Sequence, residues 1–114
     1  MEIYYDIRFC NEGKMFDENC FRILCAVEKT GSLNQAAKEV CLTYCVALKI
    51  MKRNEQELGF ALLERKKGGS EGGGSQLTPE AKKFMEQYRS FNKELAEAVR
   101  TIRDEHFGPK NTVP

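Results

Sequence analysis

The sequence has no tryptophan, one histidine and three prolines among its 114 residues. No apolar run approaches the roughly 20 residues that span a bilayer, and the start lacks the basic and apolar stretches of a secretory signal. The single histidine, His106, gives poor support to a His-containing zinc site. The glycines of residues 68–74 are not followed by the Lys-Ser/Thr of a phosphate-binding loop. We therefore expect no enzymatic activity, no metal or cofactor, no membrane partner, no evident effector site and a cytoplasmic location.

The chain also lacks an excess of charge of either sign, because 18 Lys and Arg residues nearly balance 17 Asp and Glu residues. A net charge of +1 argues against a chain that is basic over its whole surface. Any nucleic-acid surface must therefore come from local clustering of positive charge. The contents of hydrophobic (41%) and charged (31%) residues predict a globular chain rather than a disordered one. The length fits one domain with a modest core.

The five cysteines are an odd number in a chain without an export signal. This favours free thiols in a reducing compartment over disulfides. Cys20 and Cys25 are expected to face the core from the first predicted helix. Cys41 and Cys45 flank a predicted turn, and a role as small buried hydrophobes is favoured for them. Metal or redox sensing by these two thiols stays open as the alternative.

A β-hairpin is predicted at the N-terminus, within residues 1–16. Residues 2–9 (EIYYDIRF) alternate apolar and polar side chains, which is typical of a strand. A turn signal follows at residues 11–13, and residues 14–16 are long enough to return as a short second strand.

Three helices are predicted next. Asp17 is a plausible N-cap for the first helix, which Gly31 ends. Ser32, with Gln35 three residues later, begins a short second helix over residues 33–40. Thr43 begins a third helix from about residue 44 to 58, with Ala47, Ile50, Met51 and Leu58 as its buried set. The short connection between the last two helices predicts a helix-turn-helix over residues 32–58.

A second hairpin, the wing, is predicted over residues 60–78. It comprises an apolar strand over residues 60–65, a basic and glycine-rich tip, and a return strand over residues 75–77. Thr78-Pro79 is a strong helix start, and the last helix is predicted over residues 79–107, about 43 Å long at 1.5 Å per residue. Residues 108–114 are expected to be a flexible tail.

The last helix carries an apolar seam with the alternating steps of four and three residues that are typical of a coiled coil. Part of this seam can pack on its own domain, but a small core cannot cover all of it. We therefore expect a homodimer, held by Phe84, Tyr88, Phe91, Leu95, Ala98 and Ile102.

Three segments resemble the winged helices of LysR-type and ModE-type bacterial regulators: residues 30–38 (TGSLNQAAK), 58–65 (LGFALLER) and 68–79 (GGSEGGGSQLTP). The glycine pattern of the wing and Thr43-Tyr44 are similar to ModE, the molybdate-responsive type, and the resemblance covers about residues 17–90. It implies a mainly α fold with small β: a winged helix-turn-helix DNA-binding domain over residues 1–78, followed by a dimerisation helix over residues 79–107.

This sequence departs from the ModE pattern at three positions. Cys45 stands where lysine is usual, Leu48 where tryptophan is frequent, and Cys41 where the turn often has glycine. The molybdate-binding second domain of that family would need many more residues than follow the last helix, so we expect the DNA-binding part alone.

The resemblance implies binding of double-stranded DNA at a pseudo-palindromic site, with a link to molybdate or another oxyanion. A third helix in the major groove would reach base edges with its N-terminal residues, and basic residues of the wing would meet phosphates. The predicted DNA-binding residues are Ser32, Thr43, Tyr44, Cys45, Leu48, Lys49, Lys52, Arg53, Arg65, Lys66, Lys67 and Gly73. The alternative is a winged-helix protein-interaction module with little DNA binding, which Cys45 and Leu48 favour slightly.

Overall fold

A computed structural model of the chain describes residues 2–11, 14–16, 18–66 and 74–108. The predicted N-cap Asp17, the turn residues Glu12 and Gly13, the tip of the wing and the tail after Gly108 lie outside these ranges. The described elements, in chain order, are β1 (Phe9–Asn11), β2 (Lys14–Phe16), α1 (Glu18–Thr30), α2 (Leu33–Glu39), α3 (Tyr44–Leu58), β3 (Leu63–Arg65), β4 (Ser75–Leu77) and α4 (Pro79–Phe107). The mainly helical fold with two small hairpins is the one that the sequence predicts.

The chain divides into two compact units. One consists of residues 8–83, and the other combines the N-terminal residues up to Ile7 with the chain from Phe84 onward. The long helix α4 begins in the first unit and continues through the second.

The first unit is built on three helices. α1 packs against α2 and α3, while β2 lies on α3 and β4 lies on α1. Ala36 and Ala37 are fully buried on α2, and such small side chains allow neighbouring helices to approach closely. The other buried apolar residues of this unit are Phe16, Cys20, Ile23, Leu24, Ala26, Val27, Leu33, Ala47, Met51, Leu62, Leu77 and Ala81.

Hydroxyl side chains cap the N-termini of three helices, as predicted. The Oγ of Ser32 accepts a hydrogen bond from the Gln35 backbone N–H at 3.2 Å. The Oγ1 of Thr43 accepts from the Val46 N–H at 3.2 Å, and the Oγ1 of Thr78 accepts from the Ala81 N–H at 3.1 Å. These bonds satisfy N–H groups that have no acceptor within their own helix.

Left-handed glycines end α1 and α3. Gly31 after α1 has φ 73°, and Gly59 after α3 has φ 85°, so both predicted glycine stops are confirmed. Cys41, between α2 and α3, also has a positive φ, of 61°, although it carries a Cβ. The turn therefore holds a cysteine in the conformation that glycine adopts most easily.

The predicted strand over residues 2–9 is wrong for most of its length. Residues 2–8 have no regular secondary structure, and β1 begins only at Phe9. β1 pairs with β2 in antiparallel register, with Phe9 opposite Phe16. The physical reason is the partner: β2 has three residues, so it provides ladder hydrogen bonds for only three residues of the first strand.

The first strand of the wing is also shorter than predicted, because β3 begins at Leu63 and not at Phe60. Side chains hold the backbone just before it. The Leu62 N–H donates to Oε2 of Glu55 at 2.7 Å, and the Ala61 carbonyl accepts from the Thr78 hydroxyl at 2.6 Å. Backbone groups bonded in this way do not join the ladder.

Two further expectations need correction. In α3, Ala47 and Met51 are buried as predicted, but Ile50 and Leu58 are only half-buried, and Asn54 is fully buried. Asn54 was not in the predicted buried set, which contained only apolar residues. α2 ends at Glu39, one residue earlier than predicted, with Val40 as its C-cap.

In the second unit, the described part of α4 after Lys83 shows a change of exposure along its length. Met85 and Tyr88 are buried, whereas Phe91, Ile102 and Phe107 are each about half exposed. The rings of Phe84 and Tyr88 stack with centroids 6.4 Å apart. Among the described residues, no helix combines the length and apolar character needed to cross a membrane.

Candidate nucleic-acid interface

The solvent side of α3 carries most of the predicted DNA-binding residues. Thr43, Tyr44, Cys45, Lys49, Lys52 and Arg53 are all exposed, and Leu48 is half-buried. Cys45, Lys49, Lys52 and Gln56 recur at steps of four, three and four, which places them on one helix face. We call these four residues the reading face; it lies opposite the side that Ala47 and Met51 bury.

Backbone hydrogen bonds hold the start of α3 in place. The N–H groups of Cys41 and Leu42 donate to the carbonyls of Lys38 and Ala37, at 3.1 and 2.8 Å. The left-handed Cys41 and the cap at Thr43 then set the direction in which the helix starts. The Thr43 hydroxyl uses a lone pair for the cap, so its own hydrogen remains available to donate to a phosphate.

Ser32 lies in the turn between α1 and α2 and is half-buried. The Thr30 hydroxyl donates to the Ala26 carbonyl at 2.7 Å, and its oxygen accepts from the Ser32 N–H at 3.4 Å. This turn contacts the wing, because the Gly31 carbonyl accepts from the Ser75 N–H at 2.9 Å. Ser32, which follows Gly31 directly, therefore lies near the base of the wing in space.

The base of the wing is a short antiparallel ladder. Leu63 pairs with Leu77, and Arg65 with Ser75. The Lys66 N–H continues the ladder by donating to the Gly74 carbonyl at 3.1 Å. Arg65 and Lys66 are both exposed. The other two predicted wing residues, Lys67 and Gly73, lie outside the described residues.

The Lys66 side chain also packs where the wing meets the α1–α2 turn. Its Nζ lies 3.2 Å from the position that a Cβ on Gly31 would take. A Cβ on Gly74 would lie 3.0 Å from Lys66 Cδ and 3.2 Å from the Gly31 carbonyl oxygen. At Gly74 one of these neighbours is a backbone atom, so close packing favours glycine there. At Gly31 the neighbour is the end of a flexible side chain, and the positive φ of 73° is what favours glycine.

The exposed charge of this region is more positive than its sequence suggests. Of the acidic residues between positions 45 and 66, Glu55 and Glu57 are half-buried and only Glu64 is exposed. Glu64 accepts a hydrogen bond from Gln76 Nε2 at 3.1 Å. Five exposed basic residues face solvent in the same stretch: Lys49, Lys52, Arg53, Arg65 and Lys66. Such a local excess is what binding to a phosphate backbone requires.

Two exposed residues of α3 were missed at the level of sequence. Gln56 is one turn beyond Lys52 on the reading face, and helical spacing alone could have identified it. Val46 is 42% exposed. It was missed because an apolar residue within a helix gives no sequence signal for exposure.

The residues of the predicted dimer seam are on the whole more exposed toward the C-terminal end of α4. Tyr88 is buried, Phe84 and Leu95 are half-buried, and Phe91, Ala98 and Ile102 are exposed. The C-terminal part of the seam is thus partly exposed apolar surface.

All five cysteines are free. Cys20 is buried and Cys25 half-buried, but Cys41 and Cys45 are exposed, so the expectation that these two act as buried hydrophobes is wrong. The reason is geometric: Cys41 occupies the turn and Cys45 the solvent side of α3. Among the described residues, no group of three or more His, Cys, Asp or Glu side chains could hold a metal ion.

A helix-turn-helix followed by a two-stranded wing and a long helix defines the winged-helix class. The sequence pattern of the bacterial regulatory helix-turn-helix proteins of the lysR family matches residues 19–82. The chain belongs to this family.

Characterised relatives and solved structures agree with this assignment. The molybdenum transport protein ModE of Azotobacter vinelandii is 33% identical over 87 residues, 76% of this chain and 32% of that protein. The transcriptional regulator ModE of Haemophilus influenzae is 32% identical over 94 residues, 82% of this chain and 37% of that protein. The chain thus spans about a third of the length of these relatives. The ModE resemblance that the sequence suggests is confirmed.

The fold is similar to that of the CbnR DNA-binding domain in its complex with DNA, with a TM-score of 0.61, 23% identity, and coverage of 80% of this chain and 99% of that one. It is also similar to the BenM DNA-binding domain bound to a catB site, with a TM-score of 0.59, 24% identity, and coverage of 84% and 99%. The predicted winged-helix fold is therefore confirmed.

Proposed function

We propose that this chain is a non-enzymatic, cytoplasmic transcriptional regulator that binds double-stranded DNA as a homodimer. The observation that carries the proposal is the exposed basic surface formed by the reading face of α3 and by Arg65 and Lys66 of the wing. Membership of a family of regulatory helix-turn-helix proteins gives this surface its interpretation.

In the proposed complex, α3 enters the major groove and the wing lies along the phosphate backbone. Lys49, Lys52 and Arg53 contact phosphates or guanine edges, since lysine and arginine serve both purposes. Lys66 reaches a phosphate beside the α1–α2 turn, and Lys67 and Gly73 are proposed to extend this contact. The solved CbnR and BenM domains of similar fold are named as DNA complexes, which supports the same use of this fold here.

The homodimer is proposed to form through the seam of α4. Phe91 and Ile102 are each about half exposed, and a second copy would remove their side chains from water. A two-fold dimer presents two copies of α3 to DNA, so we expect two half-sites about one helical turn or a multiple of it apart, related by a pseudo-palindrome.

A link to molybdate or another oxyanion is proposed from the relatives, two of which are named molybdenum transport protein ModE. For this chain, the proposed link is that the genes it regulates serve the metabolism of molybdate or another oxyanion. Membership of a family of regulatory helix-turn-helix proteins does not favour the alternative of a protein-interaction module with little DNA binding.

The test is a fluorescence anisotropy titration of the chain against a labelled duplex of random sequence and against a duplex selected from a random pool. Both are measured at 50 and 200 mM salt. We expect tighter binding to the selected duplex, and an affinity that falls steeply with salt because phosphate contacts release counterions. Absence of binding at low salt, or a salt slope near zero, would overturn the proposal.

A further inference from the structure

The first turn of α3 carries apolar surface that the core does not use. Tyr44 is 47% exposed and Val46 is 42% exposed. Among the residues between 8 and 83 whose exposure the structure describes, no other large hydrophobic side chain reaches this degree of exposure. Tyr44 and Val46 are two residues apart, so they project from different sides of the helix. Val46, Lys49 and Arg53 recur at steps of three and four, so Val46 shares an exposed side of α3 with two basic residues.

The start of α3, which carries Val46, is held rigidly. Thr43 caps the helix by accepting the Val46 N–H at 3.2 Å, and Cys41 and Leu42 fix the preceding turn by bonds to the end of α2. Val46 also has a branched Cβ, which leaves it little rotational freedom in a helix. A stiff apolar group on an ordered helix start suits recognition of a small apolar feature.

The major groove offers such a feature. Each base edge presents hydrogen-bond donors or acceptors there, and thymine adds a C5-methyl group. Val46 has no side-chain donor or acceptor, so it gains nothing from the polar edges, whereas contact with a methyl group removes apolar surface of both partners from water. The N-terminal residues of a recognition helix are also those that reach base edges.

We infer that Val46 is a specificity-determining residue that contacts the C5-methyl group of a thymine in each half-site. The inference rests on the proposed function. It separates two tasks along α3: the apolar first turn selects thymine, while Lys49 and Lys52 on later turns supply affinity that depends little on sequence.

The experiment replaces thymine by uracil, which removes only the methyl group. A duplex selected from a random pool is synthesised in both forms, and each competes with a labelled duplex for the full chain in anisotropy titrations. We expect the uracil form to bind about fourfold more weakly for each methyl contact, which corresponds to one buried carbon. With two half-sites occupied, the expected loss is about fifteenfold.

The variant Val46→Ala assigns the effect to this residue. It should bind the two forms with nearly equal affinity, because alanine does not reach the methyl group. Any change in DNA stiffness caused by uracil acts on both proteins alike and would persist in the variant. The matched control is Lys52→Ala on the same helix, which should weaken binding to both forms equally and keep their ratio unchanged.

Each result bears on the inference separately from the proposed function. Equal binding of the two forms by the wild-type chain overturns the thymine contact but leaves DNA binding intact. A ratio that survives in Val46→Ala overturns the role of Val46. Failure to bind any duplex at low salt overturns both the contact and the proposed function. The comparison of the two duplexes with the wild-type chain needs no variant, so it does not depend on how a variant folds.

Discussion

The carbonyl oxygen of Gly31 accepts a hydrogen bond from the backbone N–H of Ser75 at 2.9 Å. This bond joins the turn between α1 and α2 to the first residue of β4, residues that are far apart in sequence. Together with the close packing of Gly74 against Lys66, it fixes the base of the wing on the helical part of the same unit. The position of the wing is therefore set by backbone contacts, and it is sensitive to small changes of volume.

Gly74→Ala tests this attachment. The new Cβ would lie 3.0 Å from Lys66 Cδ and 3.2 Å from the Gly31 carbonyl oxygen, so either the lysine or the backbone must move. We expect a loss of about 1–2 kcal/mol in the free energy of unfolding, measured by urea denaturation, and weaker DNA binding. Ser75→Ala is the matched control, because it retains the backbone N–H and should leave stability within about 0.5 kcal/mol of wild type. Equal effects of the two changes would contradict this account.

Lys49→Ala and Lys52→Ala test the reading face. Both lysines are exposed on the solvent side of α3, so their loss should not disturb the fold. If each contacts a phosphate, each variant should weaken binding to all duplexes similarly and lower the salt slope by about one. Lys93→Ala, an exposed lysine on α4, serves as the control and should leave the slope unchanged. Slopes that do not differ among the three variants would exclude these contacts.

Cys41→Gly tests the cost of the left-handed turn. A residue with a Cβ at φ 61° pays a steric penalty of about 1–2 kcal/mol that glycine avoids. The greater freedom of glycine in the unfolded chain offsets part of this gain. We therefore expect Cys41→Gly to raise the free energy of unfolding by about 0.5–1 kcal/mol. Cys41→Val should lower it, since a branched Cβ fits a positive φ poorly. The opposite order of the two variants would contradict a steric penalty at this turn.

Phe91→Glu tests the proposed dimer. Phe91 is 47% exposed on the seam of α4, so a charge there would oppose burial against a second copy. We expect sedimentation equilibrium to show a shift from dimer to monomer, with unchanged helix content by circular dichroism. The neighbouring Ser90 is exposed and lies off the seam, so Ser90→Glu should leave the association unchanged. A wild-type chain that is monomeric at all concentrations would rule out this dimer.

Residues at helix ends could be predicted well from the sequence. Ser32, Thr43 and Thr78 cap helices as expected, and Gly31 and Gly59 end them, because capping depends on atoms only a few residues apart. The same holds for the spacing that places Lys49 and Lys52 on one face of α3. These parts of the candidate site follow from local chemistry.

Other features depended on partners that are distant in the chain. The first strand was predicted too long because its length is set by the three residues of β2, and β3 starts late because Glu55 and Thr78 bond the backbone before it. Asn54 is buried and Val46 exposed, against the usual preference of each residue type. Their exposure depends on which side of α3 faces the neighbouring elements.

The sequence by itself thus determined the order of the helices, their ends, the wing and the family resemblance, since each depends on local backbone preferences and on short spacings. Only the tertiary structure decided that Gly31 joins Ser75, that Glu55 and Glu57 are half-buried so that the basic residues dominate the exposed charge, and that Val46 faces solvent. The physical reason is that burial and hydrogen bonding between remote residues depend on how the elements pack together, which no local pattern contains.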